Sequence, residues 1–418
     1  MGGLMYLLAS GHAPVGISVS GNGWSNQYAG VINVQRILQS AGCSANDVAY
    51  GEAPYTVLNN EGFNGQHYKN MPPQKYLDEI DLALVSNCSS SSWPFTPSFP
   101  YPLGAAQLIV NVVQASEKPV DIFLTGTFTN LARALSFEPA ILNKIRTLYV
   151  SGGGFLSAQG ALASSESNTP GFYPSEQAIS TTTWGGHNFF LDAIATAMVF
   201  GAIQRCQASA GNCPQVEIMS SHAQRMLPAS PPEQVELLCA GECKDRFNAK
   251  VEAYFKAISP CGGQPISDIY YWDESAAVMA AGRGNEFCTE WVNLSFVIGL
   301  ANGPMYSAAV ENPNGVHAKI CMKTDKNKFL DIFWSAFRTG DVHICSADSK
   351  RASPNSLYSK SSIAEDVYAS GSWLAGWAPA FLGSVLIAAM LLNSCKRTVA
   401  RDDSTSASEA LTLEEMDA

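Results

Sequence analysis

The sequence predicts an α/β protein, with a mainly parallel, Rossmann-like sheet covered by helices on both faces and a C-terminal single-pass transmembrane helix. Three observations lead there. Short apolar runs alternate with segments whose apolar residues recur every three or four positions, the pattern of buried strands and amphipathic helices. Alternation of this kind implies crossover connections and parallel strands. Near the C-terminus, residues 373–392 hold twenty residues without a charge, about the length that crosses a hydrocarbon core.

Taken in order, "VGISVS" (15–20) reads as a short strand, followed by the loop "GNGWSNQYAG" and a helical pattern in "VINVQRILQSAG". "DVAYG" (47–51) is a second strand. Helical spacing returns at 72–85 and 103–116, on either side of a Ser/Pro-rich loop. "VDIFLTG" (120–126) is a strongly apolar strand with the helical "TNLARALSF" behind it. "IRTLYVSGGGF" is a strand running into glycines, "LDAIATAMVFGAIQ" a long apolar helix, and "QVEIMS" the next strand. "ISDIYYW" (266–272) is an apolar-aromatic strand, and "AKICMK" and "NKFLDIFWSAFR" close the sheet. No internal repeat or linker divides the chain before about residue 345. The domain plan is therefore a body over 1–345, a polar stalk over 346–372, the span at 373–392 and an acidic tail over 393–418.

Composition narrows the class. Of the 418 residues, 46% are hydrophobic and 15% charged, and the formal net charge is −11. That balance suits a large core and argues against a nucleic-acid partner, which needs clustered Lys and Arg. Trp373 and Trp377 stand at one end of the apolar stretch and "KRTVAR" at the other, so the body is expected outside or in a lumen and the tail in the cytoplasm. Ten of the eleven cysteines precede the span, an even number that permits disulfides. Cys206 with Cys213 and Cys321 with Cys345 are the pairs to test first. Sequons at Asn87 and Asn293 fall on the same side, and Cys395 lies beside the membrane on the inner side, where S-palmitoylation and an idle thiol are equally open readings.

Chemistry-bearing residues gather where loops follow strands. Gly21 and Asn22 follow the first, Thr129 and Asn130 open a helix after the third, and Asp273 follows "DIYYW". Each has a plain structural reading, because glycines turn chains and Thr, Asn and Asp cap helices. For Asp273 the alternative is a metal ligand, since open α/β sheets bind ligands outside the carboxyl ends of their strands.

Together, in this order, the loops "SGN" (20–22), "GTFTNLA" (126–132), "SGGGF" (151–155), "GGHNFFLD" (185–192) and "WDESAA" (272–277) resemble those of the inosine-uridine-preferring nucleoside hydrolase family. The family's versions read G-N, G-P-L-T-N-L-A, M-G-G, A-E-F-N-x-x-x-D-P and H-D or W-D. The resemblance covers roughly residues 4–338. It implies hydrolysis of the N-glycosidic bond of a nucleoside by a calcium-held water, giving ribose and free base. It further implies that the Thr129 carbonyl and the Asp273 carboxylate bind Ca²⁺, that Asn22 and Asn188 hydrogen-bond the ribose, and that Asp192 caps a helix.

The chain also departs from the family. The family begins with a strand and a D-x-D-x-x-x-D-D loop that supplies the general base and most calcium ligands, and "GGLMYLLAS" resembles the helix just after that loop. The catalytic aspartate is therefore expected ahead of Met1. Gly186 stands where a Glu contacts ribose, leaving His187 to substitute in part. Trp272 stands where some members have a His, and is expected to stack on the base. A long insertion precedes the Asn188 loop. The alternative reading is an inactive relative that serves as a surface binding protein, and a homo-oligomer is left open.

Overall fold

The computed structural model describes residues 2–20, 27–45, 47–52, 55, 100–157, 160–161, 187–209, 211–228, 251, 270–301 and 306–339. All lie in the first of two compact units, Met1–Ser356 and Leu357–Ala418. Asn22, the helix expected at 72–85, the stalk, the apolar span and the tail are outside the described residues. Among the described residues no helix is long and apolar enough to cross a membrane.

Two sheets form. β1 (Ile17–Ser18) pairs in parallel with β2 (Val48–Ala49). In the larger sheet β3 (Val120–Leu124), β4 (Ile145–Ser151), β7 (Gln215–Met219) and β10 (Val316–Thr324) lie side by side, all parallel. The sheet continues with β8 (Cys288–Ala301) and β9 (Tyr306–Glu311), both by antiparallel pairing. β5 (Phe155–Ser157) and β6 (Gly160–Ala161) finish it, giving the order β3-β4-β7-β10-β8-β9-β5-β6. The parallel half agrees with the sequence reading. The long antiparallel arm over 288–311 was not foreseen, and "DIYYW" is not a strand of the sheet where it is described: Tyr270 forms only an isolated bridge with Pro228.

Helices cover both faces. Side chains alternate along each strand: Leu148, Val150, Val216, Ile218 and Ile320 enter one core, while Tyr149 and Cys321 turn to the other. The first core is closed by α3 (Gly104–Ala115), α4 (Thr129–Phe137) and α6 (Ala193–Ala208), with Phe128, Phe189, Phe200 and Phe296 interlocked at ring separations of 5.0–5.4 Å. The second is closed by α1 (Gly2–Ala9), α2 (Gln27–Ser40), α8 (Trp272–Val278) and α10 (Lys326–Thr339). Around Phe333 gather Tyr6, Tyr271, Phe329, Trp334 and Phe337. Short helices α5 (His187–Phe190), α7 (Ser221–Arg225) and α9 (Gly284–Phe287) connect these parts.

Of the two cysteine pairs expected, Cys206–Cys213 forms, with S–S 2.05 Å. Cys321 instead bonds Cys288, at 2.07 Å. The reason is the unforeseen arm: β8 lies antiparallel to β10, with Trp291 opposite Cys321 and Cys288 opposite Thr324. That brings the two Cα atoms to 6.0 Å, within disulfide reach.

Asp192, fully buried, caps α6 through Oδ1, which accepts from the Ala195 amide at 3.2 Å. Its Oδ2 accepts from Thr129 Oγ1 at 2.7 Å and from the Tyr55 amide at 2.9 Å. This bears out its expected structural role. Asp192→Ala strips an acceptor from three donors and is expected to cost about 3 kcal/mol, read from urea unfolding. A second test concerns pH. Burial, opposed by Arg283, pushes the Tyr6 hydroxyl from 10.0 up to about 12. An unfolded tyrosine ionises near 10, so the unfolded state loses its proton first and stability falls with rising pH. The stability is whole below pH 10 and lost between about pH 10 and 12. Tyr6→Phe should flatten that alkaline limb in a denaturation series.

Candidate functional site

The sequence-predicted residues meet where β3 and β4 end. β4 stops at Ser151 and runs into Gly152 and Gly153, with φ of 98° and 103°, a region that favours glycine. A Cβ on Gly153 would come within 2.8 Å of the Phe189 ring, so the loop lies flat on α5 and brings Asn188 over it. Asn188 Nδ2 donates to the carbonyls of Thr125 (2.9 Å) and Ser151 (3.0 Å). Both acceptors are carbonyls, which fixes the amide's orientation. Its two hydrogens are thereby used, and Oδ1 is left to accept.

Asp273 sits in the first turn of α8. The helix is capped by Tyr271 with no side-chain cap bond, so the capping role considered for Asp273 does not hold. Its Oδ1 accepts instead from Ser151 Oγ at 3.0 Å. Burial pushes the Asp273 carboxyl up from 3.8, and the charge of the chain's N-terminus and the Ser151 hydrogen bond act against that rise. Behind Ser151 lies Gln224 of α7, 1% exposed, whose Nε2 donates to Ser151 Oγ (2.9 Å) and to the Trp272 carbonyl (2.6 Å). Trp272 opens α8, partly exposed, with its ring 5.0 Å from that of Tyr270.

The start of α1 closes the other side. A Cβ on Gly3 would lie 2.9 Å from the Asp273 carbonyl, and one on Gly2 would collide with the Glu274 carboxylate. Only glycines let α1 approach α8 this closely.

The structure thus unites Asp273, Trp272 and Asn188. It places Thr129 differently. Thr129 is the first residue of α4 and fully buried; its hydroxyl is held by Asp192 and its carbonyl belongs to the helix ladder. The strand-end carbonyl tied to the Asp273 network is that of Thr125. His187 lies in α5, and its side chain is outside what is described. Sequence reasoning missed Thr125, Ser151 and Gln224. Ser151 and Thr125 had a signal, since each directly follows or ends a predicted strand; Gln224 had none.

Asp273 and the carbonyls are hard oxygens, the kind calcium takes, but an ion of that type needs six to eight. Among the described residues no group of three His, Cys, Asp or Glu stands together. By themselves these residues do not fit a calcium site.

No curated protein sequence matches the chain with significance. Solved structures do. The inosine-uridine preferring nucleoside hydrolase from Bacillus anthracis is 16% identical and has a TM-score of 0.54, over 81% of this chain and 94% of that one. The purine-preferring ribonucleoside hydrolase from Gardnerella vaginalis is 17% identical with a TM-score of 0.55, over 82% and 95%. A plant nucleoside hydrolase is 13% identical with a TM-score of 0.54, over 81% and 96%. At these identities the likeness concerns the fold. The sequence profile described as inosine-uridine preferring nucleoside hydrolase matches residues 3–331, and the chain belongs to that family.

Proposed function

We propose that the protein hydrolyses the N-glycosidic bond of ribonucleosides, releasing ribose and free base. The observation that carries this is Asp273, a carboxylate set among strand-end oxygens in a nucleoside-hydrolase fold. Breaking the C1′–N bond builds positive charge on the sugar ring. Asp273 and the neighbouring carbonyls provide negative oxygens to offset it, held in place before the reaction begins. Asn188 meets a ribose hydroxyl through Oδ1, as acceptor, because both its amide hydrogens are committed. Trp272, with Tyr270 beside it, offers a flat surface for the base. Indole has no acidic proton near neutral pH, so Trp272 stacks and does not protonate the leaving group. Asn22 is kept as a second ribose contact and His187 as a partial substitute for the Glu replaced by Gly186.

Calcium belongs to this reading as the family's implied cofactor. Among the described residues no group of three His, Cys, Asp or Glu supplies the further carboxylates it needs. The body is read as facing outside or a lumen, anchored by residues 373–392. The disulfides Cys206–Cys213 and Cys288–Cys321 support an oxidising compartment, and Asn293 of its sequon is exposed on β8.

Among the described residues Asp273 is the one carboxylate in the hydrogen-bonded cluster of Ser151, Asn188, Gln224 and Trp272, which favours a second reading, a binding protein without turnover. Inosine and uridine hydrolysis by the full chain, with and without a calcium chelator, separates the two. The first reading expects base release that the chelator abolishes and that Asp273→Ala lowers by about a hundredfold or more. Nucleoside binding without base release, unchanged by chelation, would establish the second.

A further inference from the structure

Asp273 is not held by chance contacts. Gln224 Nε2 faces the Trp272 carbonyl, which can only accept, so the atom there must be the amide nitrogen. The same nitrogen donates to Ser151 Oγ. With its lone pair so engaged, Ser151 has its own hydrogen to give, and Asp273 Oδ1 at 3.0 Å receives it. Gln224 is 1% exposed, so water does not compete for either bond. Among the described residues Asp273 Oδ2 accepts no hydrogen bond.

We propose that Gln224 and Ser151 are positioning residues that fix the direction of this chain of hydrogen bonds and so set the orientation of the Asp273 carboxylate. One end of Gln224 sets the first turn of α8 through the Trp272 carbonyl; the other sets the hydroxyl that orients the carboxylate. Both backbone and side chain of the site's acid are thus governed from α7. The proposal rests on the nucleoside hydrolase reading for its functional half and on geometry alone for its structural half.

The test uses the full chain in two arms. In the first, kcat and KM for inosine and uridine are measured in Ser151→Ala, Ser151→Thr, Gln224→Leu and Gln224→Glu. Ser151→Ala and both Gln224 variants are expected to lower kcat about tenfold or more with KM changed less than about threefold, and Ser151→Thr, which keeps the hydroxyl, to recover most of it. The second arm needs no turnover. Urea midpoints of Gln224→Leu, Asp273→Ala and the double variant should be non-additive, and the coupling should shrink when Ser151 is Ala, which removes the hydroxyl link and leaves only the Trp272 carbonyl contact. Coupling without any wild-type turnover would overturn the proposed function and leave the relay standing. Additivity in the wild-type background, or Ser151→Ala with unaltered kcat in an active protein, would overturn the relay.

Discussion

The bond from the Ser151 hydroxyl to the Asp273 carboxylate joins residues 122 positions apart, and the strand ends are arranged around it. A carboxylate withdrawn from water is costly unless donors replace the lost hydration. Supplying one donor constrains much of the fold. β4 must end level with the start of α8, and α8 must be held at a fixed depth. Ala276, Ala277 and Val278 do that by burying themselves against Met5, Tyr6 and Leu8 of α1. The side chains at the crossing are small because the backbones are close: Gly2 and Gly3 face Glu274 and Asp273 where a single added carbon would collide. The acid's setting is therefore a consequence of helix packing as much as of its own sequence neighbours.

The sheet supplies the other half of that constraint. Parallel strands buried on both faces fix a common level at which they end, so β3 and β4 deliver Thr125 and Ser151 to the same place. Asn188 then ties the two carbonyls together from α5, and α5 is seated by Phe189 in the aromatic cluster of one core. On the opposite face Tyr271 lies 5.5 Å from Phe333 and anchors the residue just before Trp272. Each side of the site is pinned by a different core, which keeps its polar groups mutually rigid.

Much of this was legible because it is local. Apolar runs and three-to-four spacing located β1 to β4, α3, α4, α6, β7, β10 and α10, since burial of one face writes itself into nearby positions. The glycines after β4 were equally plain, and the family resemblance implied the acid that caps α6. What escaped reading was non-local. β8 is a 14-residue strand, and nothing near it announces that it lies against β10 and carries Cys288 to Cys321. Asp273 looked like a residue following a strand, because "DIYYW" has strand-like side chains; tertiary packing uses Tyr271 instead as a core residue ahead of a helix. Thr129 looked like the site's carbonyl from its motif, whereas four residues earlier the chain is still leaving β3 and Thr125 has its carbonyl turned to Asn188. Gln224 is invisible from sequence: an amide becomes a clamp only through what lies at its two ends.

Ser151 shows how a single loop residue carries a polar link at a strand end. It begins the loop that resembles M-G-G, and the two glycines keep the backbone the loop needs while the residue before them differs in kind. A thioether accepts weakly and donates nothing, so a methionine there would give Asp273 no hydrogen bond and Gln224 no good acceptor. A hydroxyl does both at once. Ser151 makes a polar link at this strand end, and a buried polar link is stable only when every member is satisfied. Gln224 meets that demand by donating from a position closed to water. Serine and glutamine thus act as one unit spread over two elements, with the carboxylate they orient as its object.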